Sequence, residues 1–225
     1  ISKKDSVKYK KREDRKFLVG RTYNDFISYT NNHENNVSIV EMDTVYNGQS
    51  GPFMQTFKFL SYSFMFIIYH EEKTAKAMVE GVDLLETILG KDLFQKEVEV
   101  IKTDRGTEFS DAEGLEKDND GSTRTHVFYC DAMQSCQKGS LENNHKEIRY
   151  ICPKEAALKD LGFDSQEKAN LMVSHINSQP KENLKGKSPL EMMEFLSPDL
   201  YKKFIEFGIK KIENDEIILK PYLLK

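Results

Sequence analysis

Between residues 37 and 69, short β-branched or aromatic runs alternate with turn residues. The first run covers 37–46, Asn47-Gly48-Gln49-Ser50-Gly51-Pro52 follows, and two aromatic runs cover 53–61 and 63–69. Runs of that length bounded by Gly, Pro and Asn read as strands, and connections this short make an antiparallel meander. The period then changes. Ala75, Met78, Val79, Val82, Leu85 and Leu89 recur at helical spacing, with Thr74 as cap and Gly90 as stop. A fourth strand is expected over 97–103 and a fifth over 127–130, separated by a polar stretch turning at Asn119-Asp120-Gly121.

Helices follow over 141–151, ended by Pro153, and over 165–178. Ser188-Pro189 and Ser197-Pro198 each open a further helix, because proline suits the first helical position. A short helix capped by Thr22 precedes the first strand, and the tail has an extended character around 216–219. This order predicts an α/β fold: a mixed five-stranded sheet flanked by helices, with additional C-terminal helices. The expected segments are a basic arm or linker with a short helix (1–36), a core (37–180), and a C-terminal helical segment and tail (181–225).

Composition narrows the class. With 38% hydrophobic and 31% charged residues in a 225-residue chain, neither disorder nor a membrane protein is indicated. The longest apolar region, 57–69, is broken by Lys58, Ser61 and Ser63 and is too short to span a bilayer. No secretory leader is evident, a reducing cytosol fits Cys130, Cys136 and Cys152, and the start at Ile1 implies a preceding portion. His126 and His145 lie near those cysteines, but without zinc-site spacing they do not suggest structural zinc. Net charge is −4, yet residues 1–19 carry eight basic against three acidic residues. That is +5 in the arm and −9 in the remainder, as for a polyanion-contacting arm on a cation-holding body. A solvated linker is the plainer reading of the same arm.

Three acidic positions then stand out. Asp43 lies in the first strand, and Asp104 ends the fourth, where Gly106 breaks the extended backbone. Glu142 lies one turn into a helix. A right-handed crossover makes those two strands neighbours, so Asp43 and Asp104 face each other and Glu142 completes a cluster without compensating cations. Hard oxygen ligands of this kind suit magnesium or manganese. Two ions roughly 3.5–4 Å apart clamp the attacking and leaving oxygens of a phosphoryl transfer. Lys146 and Arg149 share the helical face of Glu142 and are candidates for gripping a phosphate backbone, with His145 and Lys138 nearby. Glu41, on the strand face of Asp43, reads as a rim or salt-bridge residue, and Glu108 as a residue that orders the loop after Asp104.

Glu41-Met42-Asp43-Thr44-Val45, Thr103-Asp104-Arg105-Gly106-Thr107-Glu108-Phe109, and Gln137-Lys138-Gly139 through Glu142-Asn143 to Ile148-Arg149-Tyr150 and Pro153-Lys154 form an ordered set. That set resembles the catalytic region of bacterial insertion-sequence transposases of the IS30 family, within the DDE transposases and retroviral-type integrases. Ser174-His175-Ile176-Asn177-Ser178 and Gly186-Lys187-Ser188-Pro189 extend the resemblance toward the C-terminus. It implies a ribonuclease-H-like fold with Asp43, Asp104 and Glu142 as catalytic, metal-binding residues for Mg2+ or Mn2+. It also implies cleavage at transposon inverted repeats, 3′-hydroxyl strand transfer into target DNA, and a homo-oligomer of at least two copies on double-stranded DNA. The family's upstream DNA-reading region is not seen, so the chain is expected to be the catalytic part. Arg105 stands where the family usually has Asn and counts among the DNA-contact candidates. Cys136 stands where the family has Trp, and Ala132-Met133 replaces a Pro-aromatic pair. Two alternatives use the same residues: a transposase-derived assembly protein without catalysis, and a metal-dependent nuclease without strand transfer.

Overall fold

The structure is a computed structural model, and it describes residues 16–33, 36–48, 50–131, 137 and 139–225, with backbone alone for 139–144. Five strands form one mixed sheet in the order β3-β2-β1-β4-β5. They are β1 (Ile39–Val45), β2 (Phe53–Phe59), β3 (Phe64–His70), β4 (Val100–Thr103) and β5 (His126–Tyr129). β1, β2 and β3 are antiparallel, whereas β4 runs parallel to both β1 and β5. This is the expected ribonuclease-H-like mixed sheet. Every residue of β2 is buried, Gln55, Thr56 and Lys58 included, so the strand shows no alternation of apolar and polar positions.

Helix α1 (Tyr23–Asn31) opens with a reciprocal cap between Thr22 and Asp25. Helix α2 (Ala75–Leu89) is capped by the Thr74 side chain and covers one face of the sheet through Met78, Val82 and Leu85. At Gly81 the helix comes so near β2 that a Cβ there would fall 1.8 Å from the Gln55 side-chain oxygen. Only glycine leaves room for that amide, which donates to the Met78 carbonyl at 3.0 Å. Two expectations need correction. Gly90, with φ of 81°, ends α2 but also begins α3 (Lys91–Glu97), so Glu97 is helical and β4 starts only at Val100. The polar stretch before β5 contains α4 (Ala112–Glu116), capped by Asp111. In the tail, the Ile218 N–H donates to His175 Nδ1.

Helices α5 (Gly139–Ile151), α6 (Gln166–Ser178), α7 (Pro189–Leu196) and α8 (Pro198–Glu206) complete the chain. α6 lies along the outer edge of β3. Asn177 accepts from Met65 N at 2.8 Å and donates to its carbonyl at 2.7 Å, while Gln166 accepts from Tyr69 N and donates to Ile67 O. Side-chain amides thereby occupy backbone groups that an edge strand would otherwise offer to another chain. On α8, Phe204 packs against Phe59, Phe64 and Phe66 at centroid distances of 4.8–5.6 Å, joining the C-terminal helices to the main core. A second, smaller apolar cluster sits on the opposite sheet face, where Phe26 of α1 meets Val100 and Phe128. Among the described residues no helix is long and apolar enough to cross a membrane.

Candidate active site

The site grows from the parallel pairing of β1 with β4. Glu41 is paired with Lys102, and two residues further along each segment come Asp43, near the C-terminal end of β1, and Asp104, directly after the end of β4. Thr103 Oγ1 donates to Met42 O at 2.9 Å, holding the strands together where the two carboxylates emerge. Each acid is oriented by its own backbone: Asp43 Oδ1 accepts from Thr44 N at 2.8 Å, and Asp104 Oδ1 from Gly106 N at 2.7 Å.

Glu108 closes one side of this pair. A Cβ on Gly106 would lie 2.6 Å from Glu108 Oε2 and 2.9 Å from Asp104 Oδ1, so the absent side chain lets two carboxylates approach from either side of the glycine. Glu108 Oε1 accepts from Thr44 Oγ1 at 3.0 Å and from Lys73 Nζ at 3.1 Å. The Lys73 ammonium also stands 4.3 Å from the Tyr46 ring centroid. Burial alone would raise the Glu108 carboxyl. Hydrogen bonds from its own backbone, Lys73 and Thr44, together with the charge of Lys73, outweigh burial and hold the carboxyl below its ordinary value.

The sign of the resulting pH dependence follows. A carboxyl with a depressed folded-state pKa contributes stability that is present above its unfolded value, about 4.3, and lost as pH falls through the folded one. Glu108→Gln is expected to lower stability by about 2 kcal/mol at pH 7. The difference from wild type should shrink toward zero on acidification below about pH 4. Thermal melts of both proteins from pH 3 to 7 measure this, and a pH-independent difference would remove the ionic explanation.

On β5's side, Arg105 donates to Cys130 O at 3.0 Å and pairs with Asp131 at 2.8 Å, and the Gln137 side-chain amide accepts from Asp131 N and donates to Asp131 Oδ2. The arginine therefore braces the ends of β4 and β5 at the entrance to the segment leading to α5. Lys138, Ala132, Met133 and Cys136 lie outside the described residues. Glu142 is the fourth residue of α5, and nothing of its side chain is described. Further along that helix, His145, Lys146, Arg149 and exposed Tyr150 line a shallow cleft of about 460 Å³ with Lys154. Arg149 has a further task. It donates to Asn47 Oδ1, to Cys152 O at 3.3 Å and to Tyr46 O at 3.4 Å, while Asn47 bonds Pro153 O and Ala156 O. The guanidinium thus ties the end of α5 to the end of β1, and burial lowers its pKa from the ordinary arginine value.

No family model matches the chain. Over 73 residues, 32% of its length, it is 33% identical to the transposase InsI of insertion sequence element IS30A from Escherichia coli (strain K12). Over 72 residues it is 31% identical to the transposase of insertion sequence element IS1086 from Cupriavidus metallidurans. The chain resembles IS30-family transposases. The likeness to these transposases spans 18% and 20% of the relatives' own lengths. The HTLV-2 integrase catalytic core, solved in complex with magnesium in a trimeric form, aligns with TM-score 0.48 and 14% identity. That alignment covers 69% of this chain and 95% of the integrase chain.

Of the three carboxylates to which the resemblance to IS30 transposases points, Asp43 lies on β1 and Asp104 directly follows β4, two strands paired in parallel, and the backbone sets Glu142 in the first turn of α5. Among the described residues no group of three or more His, Cys, Asp or Glu is placed to hold a metal ion, and the Glu142 side chain lies outside that set. The oxygen-only donors of Asp43 and Asp104 fit a hard divalent cation. Lys73 is the residue that sequence reading passed over. Its position after the Glu71-Glu72 pair carries no motif, and only the fold brings it 35 residues along the chain to Glu108.

Proposed function

We propose that this chain is the catalytic region of a DNA transposase, acting in the bacterial cytosol on transposon inverted-repeat ends and on target DNA. The observation that carries the reading is the parallel register of β1 with β4, Glu41 opposite Lys102, which runs the segments bearing Asp43 and Asp104 side by side within a chain that locally resembles IS30 transposases. Asp43, Asp104 and Glu142 are the residues that would hold Mg2+ or Mn2+. When bound, such ions supply Lewis acidity toward a phosphodiester and an activated water or 3′-hydroxyl.

The protein's own groups have separable tasks. Asp43 and Asp104 offer acceptor oxygens on a rigid sheet, each already turned by a backbone N–H. Glu108 and Lys73 fix the loop after Asp104 and seal that flank. Lys146, with His145 and the outer part of Arg149, offers positive charge to a phosphate backbone beside the carboxylates, as do Lys138 and Arg105 ahead of α5. Because two transposon ends must be brought together, the active form is at least a dimer on DNA.

The test is incubation with a precleaved inverted-repeat duplex and supercoiled plasmid in Mg2+ or Mn2+. Joined product is expected. Nicking without joining would leave a nuclease, and neither product, with no manganese bound in calorimetry, would leave an assembly protein.

A further inference from the structure

Two residues back along the strands from Asp43 and Asp104, the sheet carries a row of charges that the proposed chemistry does not use. Lys58, Glu41 and Lys102 stand abreast on β2, β1 and β4, all under 10% exposed. Glu41 and Lys102 are paired at 2.9 Å, and the Lys58 ammonium donates to Ser63 O. Above the row lies α5. Its Glu147 is ion-paired with Lys181, both about 15% exposed, while Glu147 Oε2 is buried and, among the described residues, accepts no hydrogen bond. Lys58 lies close enough to both for their charges to act on it. Burial and Lys181 press its pKa down, Glu147 and Glu41 oppose them, and the result is about 7.

Helices usually dock through apolar faces, and α5 does present Ile148 and Ile151. Apolar contacts tolerate sliding and rolling more than a directional ion pair does. Glu147 is five residues beyond Glu142, about 140° round the helix and about 7.5 Å along it. It therefore grips the back of the helix whose front bears Glu142, Lys146 and Arg149. Its partner is rigidly mounted: the loop carrying Lys181 is closed by Lys181 N to Lys187 O and Gly186 N to Lys181 O, each 3.0 Å.

We propose that Glu147, clasped by Lys181 above Lys58, is a positioning residue that sets the rotation of α5 on the sheet and so the point to which Glu142 is delivered. This rests on the reading of Asp43, Asp104 and Glu142 given above. Buried ion pairs often contribute less stability than apolar replacements of similar size while specifying one arrangement. Misplacement of a reacting group by about 1 Å can cost about a hundredfold in rate.

The decisive comparison is wild type against the double variant Glu147→Leu/Lys181→Leu, with Lys181→Arg as the conservative control. The double variant is expected to melt at or above the wild-type temperature, yet to lose about 10- to 100-fold in strand transfer and about tenfold in manganese affinity. Amide exchange in residues 140–143 should accelerate, and Lys181→Arg should behave as wild type. Unchanged exchange, or wild-type transfer and manganese affinity in the double variant, would overturn the proposal. So would unfolding of the double variant, since the pair would then be holding the fold and not orienting a helix. If wild type itself neither binds manganese nor joins ends, the functional reading fails, and amide exchange alone decides whether the pair orients α5.

Discussion

Asp104→Asn is expected to abolish joining of a precleaved end to target DNA, by about 10³-fold or more, while leaving the melting temperature within about 2 °C of wild type. The separation of the two effects follows from local geometry. Asp104 Oδ1 accepts the Gly106 N–H at 2.7 Å, and an asparagine oxygen can accept the same bond, so the turn that shapes the site survives. What is lost is the charge. A neutral amide offers a hard dication far less than a carboxylate does, and the ions' stabilisation of transition-state charge is worth several kcal/mol. Joined product measured by gel, with a thermal melt on the same preparation, tests both halves. Retention within tenfold of wild type would remove Asp104 from the chemistry.

How far the chain could be read in advance depends on the range of the forces involved. β1 and the meander were legible because turn chemistry and β-branched or aromatic runs are local signals, and α2 because its apolar period is long and its cap explicit. α3 was missed since one glycine serves two helices, and a seven-residue helix has too short a period to show. For the tail, the histidine on α6 that accepts the Ile218 N–H could not be read, because it lies 43 residues away in sequence. That β1 and β4 are parallel neighbours was legible because handedness constrains the crossover between them. Lys58 had shown only as an interruption of an apolar run. Its meaning depends on Glu41, Glu147 and Lys181, up to 123 residues away in sequence, and no local pattern encodes that.

The contrast with a purely structural charge is sharpest at Arg124, whose replacement by methionine is expected to cost about 3–5 kcal/mol and lower the melting temperature by roughly 10 °C. The side chain is 1% exposed, and its guanidinium is fully engaged: Nε donates to Leu115 O at 3.0 Å, Nη2 to Gly114 O at 2.9 Å, and Nη1 to Asp83 at 2.6 Å and Glu86 at 2.9 Å. One planar group thus satisfies carbonyls of α4, neutralises two acids one turn apart on α2, and sits two residues before β5. Methionine keeps most of the stem volume but supplies no donor, so the Glu86 carboxylate and two carbonyls would lose their partners in a site with little water. Lysine should recover only part of the loss, because a single ammonium cannot reproduce a fork that reaches both helices. Joining activity per folded molecule should stay at the wild-type level, since α4 and the outer edge of α2 lie away from Asp43 and Asp104. A fall in activity without a fall in melting temperature would contradict that division, and would mean that Arg124 acts on the carboxylate pair through β5 and β4.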